Sequence, residues 1–410
     1  MGPLIESGSS RGRSPNSRPP LGEPPLVEEI AARIRARGPI SFAEFMGAAL
    51  YHPEHGYYTS GGRAAGSYGA DFRTSPQVHR AFGEMIARQA VEMYRRLEGP
   101  VPFRVVELGP GTGCLVRGIL PELDRSLGER AWDYHLVEVS PALAAIQRES
   151  IADLPSRVRE RALWSSPEDL AAHPADGLVL SNEFFDALPV HRVRAEGGDL
   201  QELRVDWSEA RGFFEVASEV ARPELTAYLD RYGVPLASGA QAEIGLELLD
   251  WTDRAAAMLR RGYLLTVDYG YPAEKLYSVE RTAGTLMAYH RHTAGADPLR
   301  RVGQQDLTAH VNFSALERRG AERGFRSAPL RTQTQFLLGL GIVDRLGEIE
   351  RSSSEGVARL REREAIKELF VPGGMGETFR VLVQGREAPL DGLAGLSSPW
   401  ERTCAPGESG

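Results

Sequence analysis

Lysine is nearly missing from this chain: of 48 basic residues, all but Lys275 and Lys367 are arginine, a bias of the kind a GC-rich genome imposes on any protein. Cysteine is as scarce. Cys114 and Cys404 cannot build a disulfide framework and are too few for a zinc or iron–sulfur site, so a reducing, cytoplasmic compartment is expected. The nine histidines read as offering neither HxxH nor HExxH spacing, and no metal is expected. Positive charge is not in excess either. With 56 acidic residues and a net charge of −8, the chain falls outside the basic class that binds nucleic acid or membrane surfaces non-specifically, and no nucleic-acid partner is expected. No apolar run approaches the ~20 residues that span a bilayer, so membrane insertion is not expected. What is present is ordinary: 42% hydrophobic and 25% charged residues exclude collagenous and wholly disordered chains. A length of 410 residues suits two or three packed units, or one large unit with insertions.

Residues 1–25 are rich in Ser, Pro, Gly and Arg and read as a disordered leader; the prolines, Glu6 and Glu23 spoil the amphipathic helix of a mitochondrial transit peptide. Residues 26–100 read as a helical region: Leu26, Val27, Ile30 and Ile34 share one helical face, Gly38-Pro39 stops that helix, and Ser41 with Glu44 forms a capping box for the next. Strand and helix signals then alternate, which predicts an α/β fold with a doubly wound, mostly parallel, seven-stranded sheet. Its strand candidates are Phe103 to Leu108, Tyr134 to Val139, Leu178 to Asn182 and Tyr263 to Asp268. Residues 101–189 form the first part of this core. Residues 261–385 form the second, with an irregular stretch from Asp268 to about Arg301, a helix near Phe313 to Arg323, and closing strands near Gln333 and at Phe379 to Gln384. Between the two, in 190–260, HRVRAEGGDLQELRVDW alternates about Gly197-Gly198 and predicts an inserted antiparallel hairpin, followed by a helix, that shapes a substrate site. Residues 386–410 read as a loose tail.

The most informative segment is VVELGPGTG, residues 105–113: an apolar strand, an acid at its end, then glycines at alternate positions before a helix. Gly109, Gly111 and Gly113 permit positive φ and let a ligand lie against the backbone at the carboxyl edge of the sheet. A dinucleotide GxGxxG counted from Gly109 would need glycine where Cys114 stands. The spacing ExGxGxG resembles instead that of S-adenosylmethionine methyltransferases. Glu138 ends the next strand, in YHLVEVS, where its carboxylate can accept both ribose hydroxyls of an adenosine. Glu107 lies where a buried carboxylate would offset the cationic methionine end of that cofactor; capping of the loop amides is the alternative for it.

The motifs ISFAEFMGAALYHPEHGYY, GADFRTSP, ELGPGTG, LVEVSPAL, SNEFFDALPVHR, TVDYG, DLTAHVNF and GMGETFRVL, spread over Ile40 to Gly385, together resemble the MidA family of class I methyltransferases. The resemblance implies S-adenosyl-L-methionine as cofactor and methyl transfer to an arginine of a protein substrate. Mitochondrial members assist respiratory complex I assembly by methylating a core subunit, so a complex I subunit is one partner it implies. The location implied is the cytoplasm in a bacterium and the mitochondrial matrix in a eukaryote. It also implies that Asp71, Phe72, Thr74 and Ser75 form a lid over the cofactor's methionine end; a polar surface turn is the alternative.

SNEFFDALP follows the strand that ends in Asn182, and ligands bind at the carboxyl ends of strands in such sheets, so Asn182 counts among the cofactor residues and Glu183 and Asp186 as a catalytic pair. A guanidinium stays protonated in water, so an acceptor arginine needs a carboxylate to hold it, localise its charge and receive a proton. Beside the catalytic reading stand, for Asp186, capping of the following turn and, for Glu183, pairing with a surface arginine. Asp268 and Tyr269 end the next strand and are expected to face the same crevice. His310 is a third catalytic candidate, as a proton acceptor, with a structural histidine as the alternative. Two readings remain beside the methyltransferase: a non-catalytic cofactor-binding assembly factor and an NAD-dependent oxidoreductase.

Overall fold

The computed structural model describes residues 19–60, 74–130, 132–290, 293–295, 297–351, 356–371 and 375–397. At its centre is a sheet whose main path runs Arg326–Ser327, Phe379–Arg386, Leu259–Tyr271, Ala175–Asn182, Phe103–Leu108, Trp132–Val137, Ala162–Trp164. The last five are parallel and the first two antiparallel, and Val311–Asn312 and Arg331–Thr332 add short pairings. The central strands are apolar on both faces, as a sheet covered by helices on each side requires. Helices Ala81–Arg96 and Cys114–Leu127 cover one face, their buried rows of Met85, Ile86, Ala90, Val116, Ile119 and Leu123 meeting Val105, Leu178 and Leu265 in one cluster. From Phe103–Leu108 the chain winds outward to Trp132–Val137 and Ala162–Trp164, then returns to Ala175–Asn182 on the other side. That reversal opens a crevice at the carboxyl end of Phe103–Leu108, the switch point at which doubly wound sheets bind ligands.

The expected hairpin is present and larger than its sequence suggests. His191–Glu196 and Asp199–Ser208 pair with Glu196 opposite Asp199, and Gly197 and Gly198, at φ +64° and +97°, make the turn whose twist matches the strands. Gly212–Glu219, Gln241–Ile244 and the two-residue strand Ile40–Ser41 complete a five-stranded sheet. The N-terminal segment is thereby bound to the insertion: Phe42, Phe45 and Met46 of helix Phe42–Tyr51 pack on Val205 and Phe213. The Ser41 capping box forms as read, with Glu44 N donating to Ser41 Oγ and Ser41 N to Glu44 Oε2, each at 3.1 Å.

The closing strand expected near Gln333 is Arg331–Thr332, paired with Phe379–Arg386, and Gln333 itself begins the helix Gln333–Gly339, capped by Thr332 Oγ1. Two expectations are corrected. The stretch after Asp268 is not irregular, because Met287–His290, Thr293–Ala294 and Asp306–Thr308 form a small antiparallel sheet whose strands are too short for alternation to reveal. The tail is packed as far as Leu396: Ala388 and Leu393 are buried, and Gly395 N donates to Gln89 Oε1 at 3.0 Å.

Candidate active site

Gly109, Gly111 and Gly113 have φ of +61°, +55° and +82°, the left-handed region that a side chain penalises. The turn they make carries the chain from the strand to the helix Cys114–Leu127 while keeping the backbone of Gly109 and Gly111 bare to the crevice. A Cβ at Gly109 would lie 2.7 Å from the ring of Phe184, so the loop after Ala175–Asn182 packs against glycine only. Gln147 fixes the other side. Its Nε2 donates to Gly111 O at 2.8 Å and to Glu138 Oε2 at 2.9 Å, while its Oε1 accepts from Trp164 Nε1 at 2.8 Å. Ser140 N donates to Glu138 Oε1 at 2.8 Å, so both oxygens of Glu138 are held in place at the cavity edge.

Three cavities meet at Glu183. The largest, about 370 Å³, is walled by Val137, Val139, Leu143, Phe184 and Trp251, with Glu138, Gly109 and Gly111 along one edge. Val139 is 68% exposed there, an apolar side chain left uncovered beside an acid. A narrow cavity of about 40 Å³ adjoins it between Thr74, Glu107, Gly111 and Asn182. Glu107 is buried and accepts from Tyr134 Oη at 2.6 Å; burial raises its pKa to about 7 against that hydrogen bond, and the charge of Glu138 adds to the rise. Asn182 Oδ1 is buried with no hydrogen-bond partner. The third cavity, about 130 Å³, is lined by Glu183, Asp186, Asp306, His310 and the tyrosines 57, 58, 269 and 289, and no lysine or arginine lines it among the described residues.

Glu183 has a left-handed backbone, φ +53°, rare for a residue with a side chain and of a kind that clusters at functional sites. The conformation is held from outside. Glu183 N donates to Val267 O at 3.0 Å, and Asp268 Oδ2 accepts from Phe184 N and Phe185 N at 3.2 and 2.9 Å. The side chain accepts from Asn182 Nδ2 at 3.1 Å and lies near the amide of Ser75, which favours its charged form. Burial first, then the charge of Asp186, raises the Glu183 pKa well above the usual carboxylate range. Burial first, then the charges of Asp268 and Asp306, raise Asp186 well above the usual carboxylate range too, and its Oδ1 has no hydrogen-bond partner. Burial lowers His310 to about 4, helped by the positive charge of Arg281, so its ring is neutral near pH 7.

The crevice therefore gathers Glu107, Gly109, Gly111, Glu138, Thr74, Asn182, Glu183, Asp186, His310 and Tyr269. Gly113 shapes the turn without lining a cavity. Two expectations change. The Ser75 hydroxyl is turned from the site, donating to Gln333 Oε1 at 3.1 Å, and only its backbone lies near Glu183. Asp268 does not face the crevice: fully buried, it holds the Glu183 loop by its backbone amides. Asp71 and Phe72 lie outside the described residues. Sequence reasoning singled out none of Gln147, Tyr58, Asp306, Phe184 and Trp251: Tyr58, Phe184 and Asp306 lie within the family motifs without being assigned a role, and Gln147 and Trp251 lie outside them. The reading that no HxxH spacing occurs is corrected at His52 and His55, which have it, yet their rings stack at 5.2 Å, His52 Nδ1 accepts backbone amides and Nε2 meets Glu29. Among the described residues no group of three His, Cys, Asp or Glu could hold a metal.

A family model described as "Putative S-adenosyl-L-methionine-dependent methyltransferase" matches residues 85–330. The chain belongs to this methyltransferase family. A protein named "Protein arginine methyltransferase NDUFAF7 homolog, mitochondrial" from Drosophila melanogaster is 32% identical over 75% of this chain and 73% of its own length. The human "Protein arginine methyltransferase NDUFAF7, mitochondrial" is 28% identical over 92% of this chain and 87% of its own. A Burkholderia thailandensis protein crystallised with S-adenosyl-homocysteine superposes with a TM-score of 0.81, at 31% identity, covering 91% of this chain and 95% of that one. This methyltransferase uses S-adenosylmethionine as its methyl donor. Its own residues fit that group: an apolar chamber with a carboxylate at its edge suits adenosine, and the unpartnered Asn182 Oδ1 and buried Glu107 suit a cationic methionine end.

Proposed function

We propose that this methyltransferase acts on an arginine side chain of a protein. The observation that carries the reading is the third cavity. It is sized for one side chain and holds Glu183, Asp186 and Asp306 among tyrosine rings. Such a cavity selects a cation. The relatives named as protein arginine methyltransferases support the same choice. When bound, S-adenosylmethionine supplies a methyl on a sulfonium, an activated leaving group. The chain supplies position and a proton acceptor. Glu183 accepts guanidinium N–H bonds, which turns one nitrogen toward the point where the cavities meet and draws the positive charge away from it. The burial that raises Glu183 makes its carboxylate a stronger base for the proton the nitrogen loses. His310, neutral, completes the wall as a hydrogen-bonding group. The test is mass spectrometry of methylated side chains in the host proteome with and without the gene: loss of methyl-arginine at one protein site is expected, and an unchanged arginine methylome would refute the reading. A subunit of respiratory complex I is the first acceptor to examine. The curated relatives are named mitochondrial, so in a eukaryotic host the matrix is the proposed location and in a bacterium the cytoplasm. Among the described residues no helix is long and apolar enough to cross a membrane.

For the cofactor we assign Glu138 to the ribose hydroxyls, Gly109 and Gly111 to the backbone cradle, and Glu107, Thr74 and Asn182 to the methionine end. Two measurements check this. Glu138→Ala is expected to weaken S-adenosyl-homocysteine binding by ~1.5–3 kcal/mol, the range for hydrogen bonds to a charged group. Equal affinity of the unaltered protein for adenosine and its 2′,3′-dideoxy analogue would remove Glu138 from that role. The second concerns pH. Glu107 is protonated below about 7 in the free protein. A cationic methionine end favours its ionised form, so binding expels the proton; affinity rises about tenfold per pH unit up to that value and flattens above it. Calorimetry across the range should show this slope, with Glu107→Gln abolishing it. A flat profile in the unaltered protein would place the cofactor's charge elsewhere.

A further inference from the structure

Beside the acceptor cavity the fold gathers positive charge on one aromatic ring. Lys275 Nζ lies 4.4 Å from the centroid of the Tyr271 ring, and the guanidinium carbons of Arg281 and Arg380 lie 4.5 and 5.5 Å from it. Three segments supply them: the helix Ala273–Leu276, the tight turn Val279–Arg281 and the strand Phe379–Arg386. Among the described residues none of the three cations pairs with a carboxylate, although Glu274, Glu280 and Glu377 stand near them in the chain. The guanidinium groups donate to backbone carbonyls instead, Arg281 to Lys275 O at 3.0 Å and Arg380 to Glu377 O and Phe379 O at 2.7 and 3.0 Å. Such bonds orient a cation and leave its charge uncancelled. The cluster adjoins the cavity by two routes. The Tyr271 ring lies 5.5 Å from that of His310, and Arg380 holds the carbonyls on either side of Thr378; His310 and Thr378 both line the cavity. Val279, in the turn that carries Arg281, is 75% exposed, an apolar side chain left uncovered within the same patch.

We propose that Lys275, Arg281 and Arg380 form a docking surface for a carboxylate side chain of the substrate protein, close in sequence to the acceptor arginine, so that the enzyme selects arginines in acidic surroundings. The inference rests on the arginine reading and adds a requirement on the residues around that arginine. Three cations on one ring repel one another, and contact with an exposed ring offsets little of that repulsion, whereas an anion between them relieves it. The chain as a whole carries −8, so a local surplus of positive charge is a departure from its surface as a whole. An arginine approaching the acidic cavity comes within range of this rim. Alone, or among other basic residues, it is repelled there. With an acid beside it, the acid pairs with the rim while the guanidinium pairs with Glu183, and one segment satisfies both signs. Tyr271 stands one histidine ring from the cavity, a span that roughly two to four residues of extended chain cover at ~3.3 Å each.

The test uses the full chain, S-adenosylmethionine carrying a deuterated methyl, and protein extract from a host lacking the gene, with labelled sites identified by mass spectrometry and kinetics then measured on the labelled protein. The unaltered enzyme is expected to label an arginine with Asp or Glu within about four positions, and its KM should rise with ionic strength. Lys275→Glu, at an exposed position, should raise KM ~5–20-fold with kcat and S-adenosyl-homocysteine affinity within about twofold of native, and Lys275→Arg should stay near native. Arg281→Gln, which removes charge without reversing it, should raise KM ~2–5-fold. A charge reversal on both partners decides the contact: changing the substrate's flanking acid to lysine should cost the unaltered enzyme ~10-fold in kcat/KM, and Lys275→Glu should recover part of that loss. Labelled arginines without an acidic neighbour, or native KM in folded Lys275→Glu and Arg281→Gln, would overturn the docking surface while leaving the arginine reading intact. Loss of labelling after phosphatase treatment of the extract would overturn it in favour of a phosphate ligand. Labelling of another side chain by the unaltered enzyme, or no labelling at all, would remove both.

Discussion

Glu183→Gln is expected to lower methyl transfer by ~10²–10⁴-fold, the span of a positioned acid or base, while S-adenosyl-homocysteine affinity stays within about twofold of native. The substitution keeps the shape and the contact with Asn182, and removes the charge and the proton acceptor. Its magnitude follows from position: Glu183 lines all three cavities, so it stands between donor chamber and acceptor pocket. Loss of an interaction made in the transition state lowers kcat and kcat/KM together. Single-turnover transfer to an arginine-bearing protein, beside cofactor titrations, makes the distinction. Near-native turnover in Glu183→Gln would assign proton transfer to another group in the pocket. Asp186→Asn shares the phenotype if the two carboxylates act as a pair, and its unpartnered Oδ1 favours that over turn capping.

The second large effect is expected at the glycine loop. Gly111→Val puts a branched side chain where φ is +55° and where the backbone borders both donor cavities. A left-handed β-branched residue costs ~1–2 kcal/mol in strain, which a folded protein of this size tolerates. The larger consequence is steric, since the ligand must lie against that backbone: cofactor affinity should fall by at least ~100-fold, the worth of several lost contacts. Gly111→Ala carries the strain with less bulk and separates the two effects. Calorimetry on variants shown to be folded by circular dichroism measures it, and unchanged affinity in folded Gly111→Val would mean that the loop does not cradle the cofactor.

The parts legible in sequence are those fixed by local rules. Alternation about Gly197-Gly198, the Ser41 capping box, and a strand ending in an acid before glycines at alternate positions each depend on neighbours a few residues away. The donor side of the crevice is legible for the same reason: Glu107, the three glycines and Glu138 lie on adjacent strand ends of one winding motif. The acceptor side is not. Asp306 and Tyr58 meet across 248 positions, only the backbone of Ser75 lies near Glu183, and Asp268 turned from an expected wall residue into the anchor of a loop.

The sequence by itself determined a doubly wound methyltransferase sheet, its cofactor signature, and Glu183 as the residue following the decisive strand. Periodicity, capping and turn chemistry are short-range, so a single chain displays them. Only the tertiary structure decided that three carboxylates from two elements close on one pocket, and that Glu183 adopts a left-handed backbone there. Both depend on burial and on hydrogen bonds between segments remote in the chain, whose energies exist only once the layers have packed.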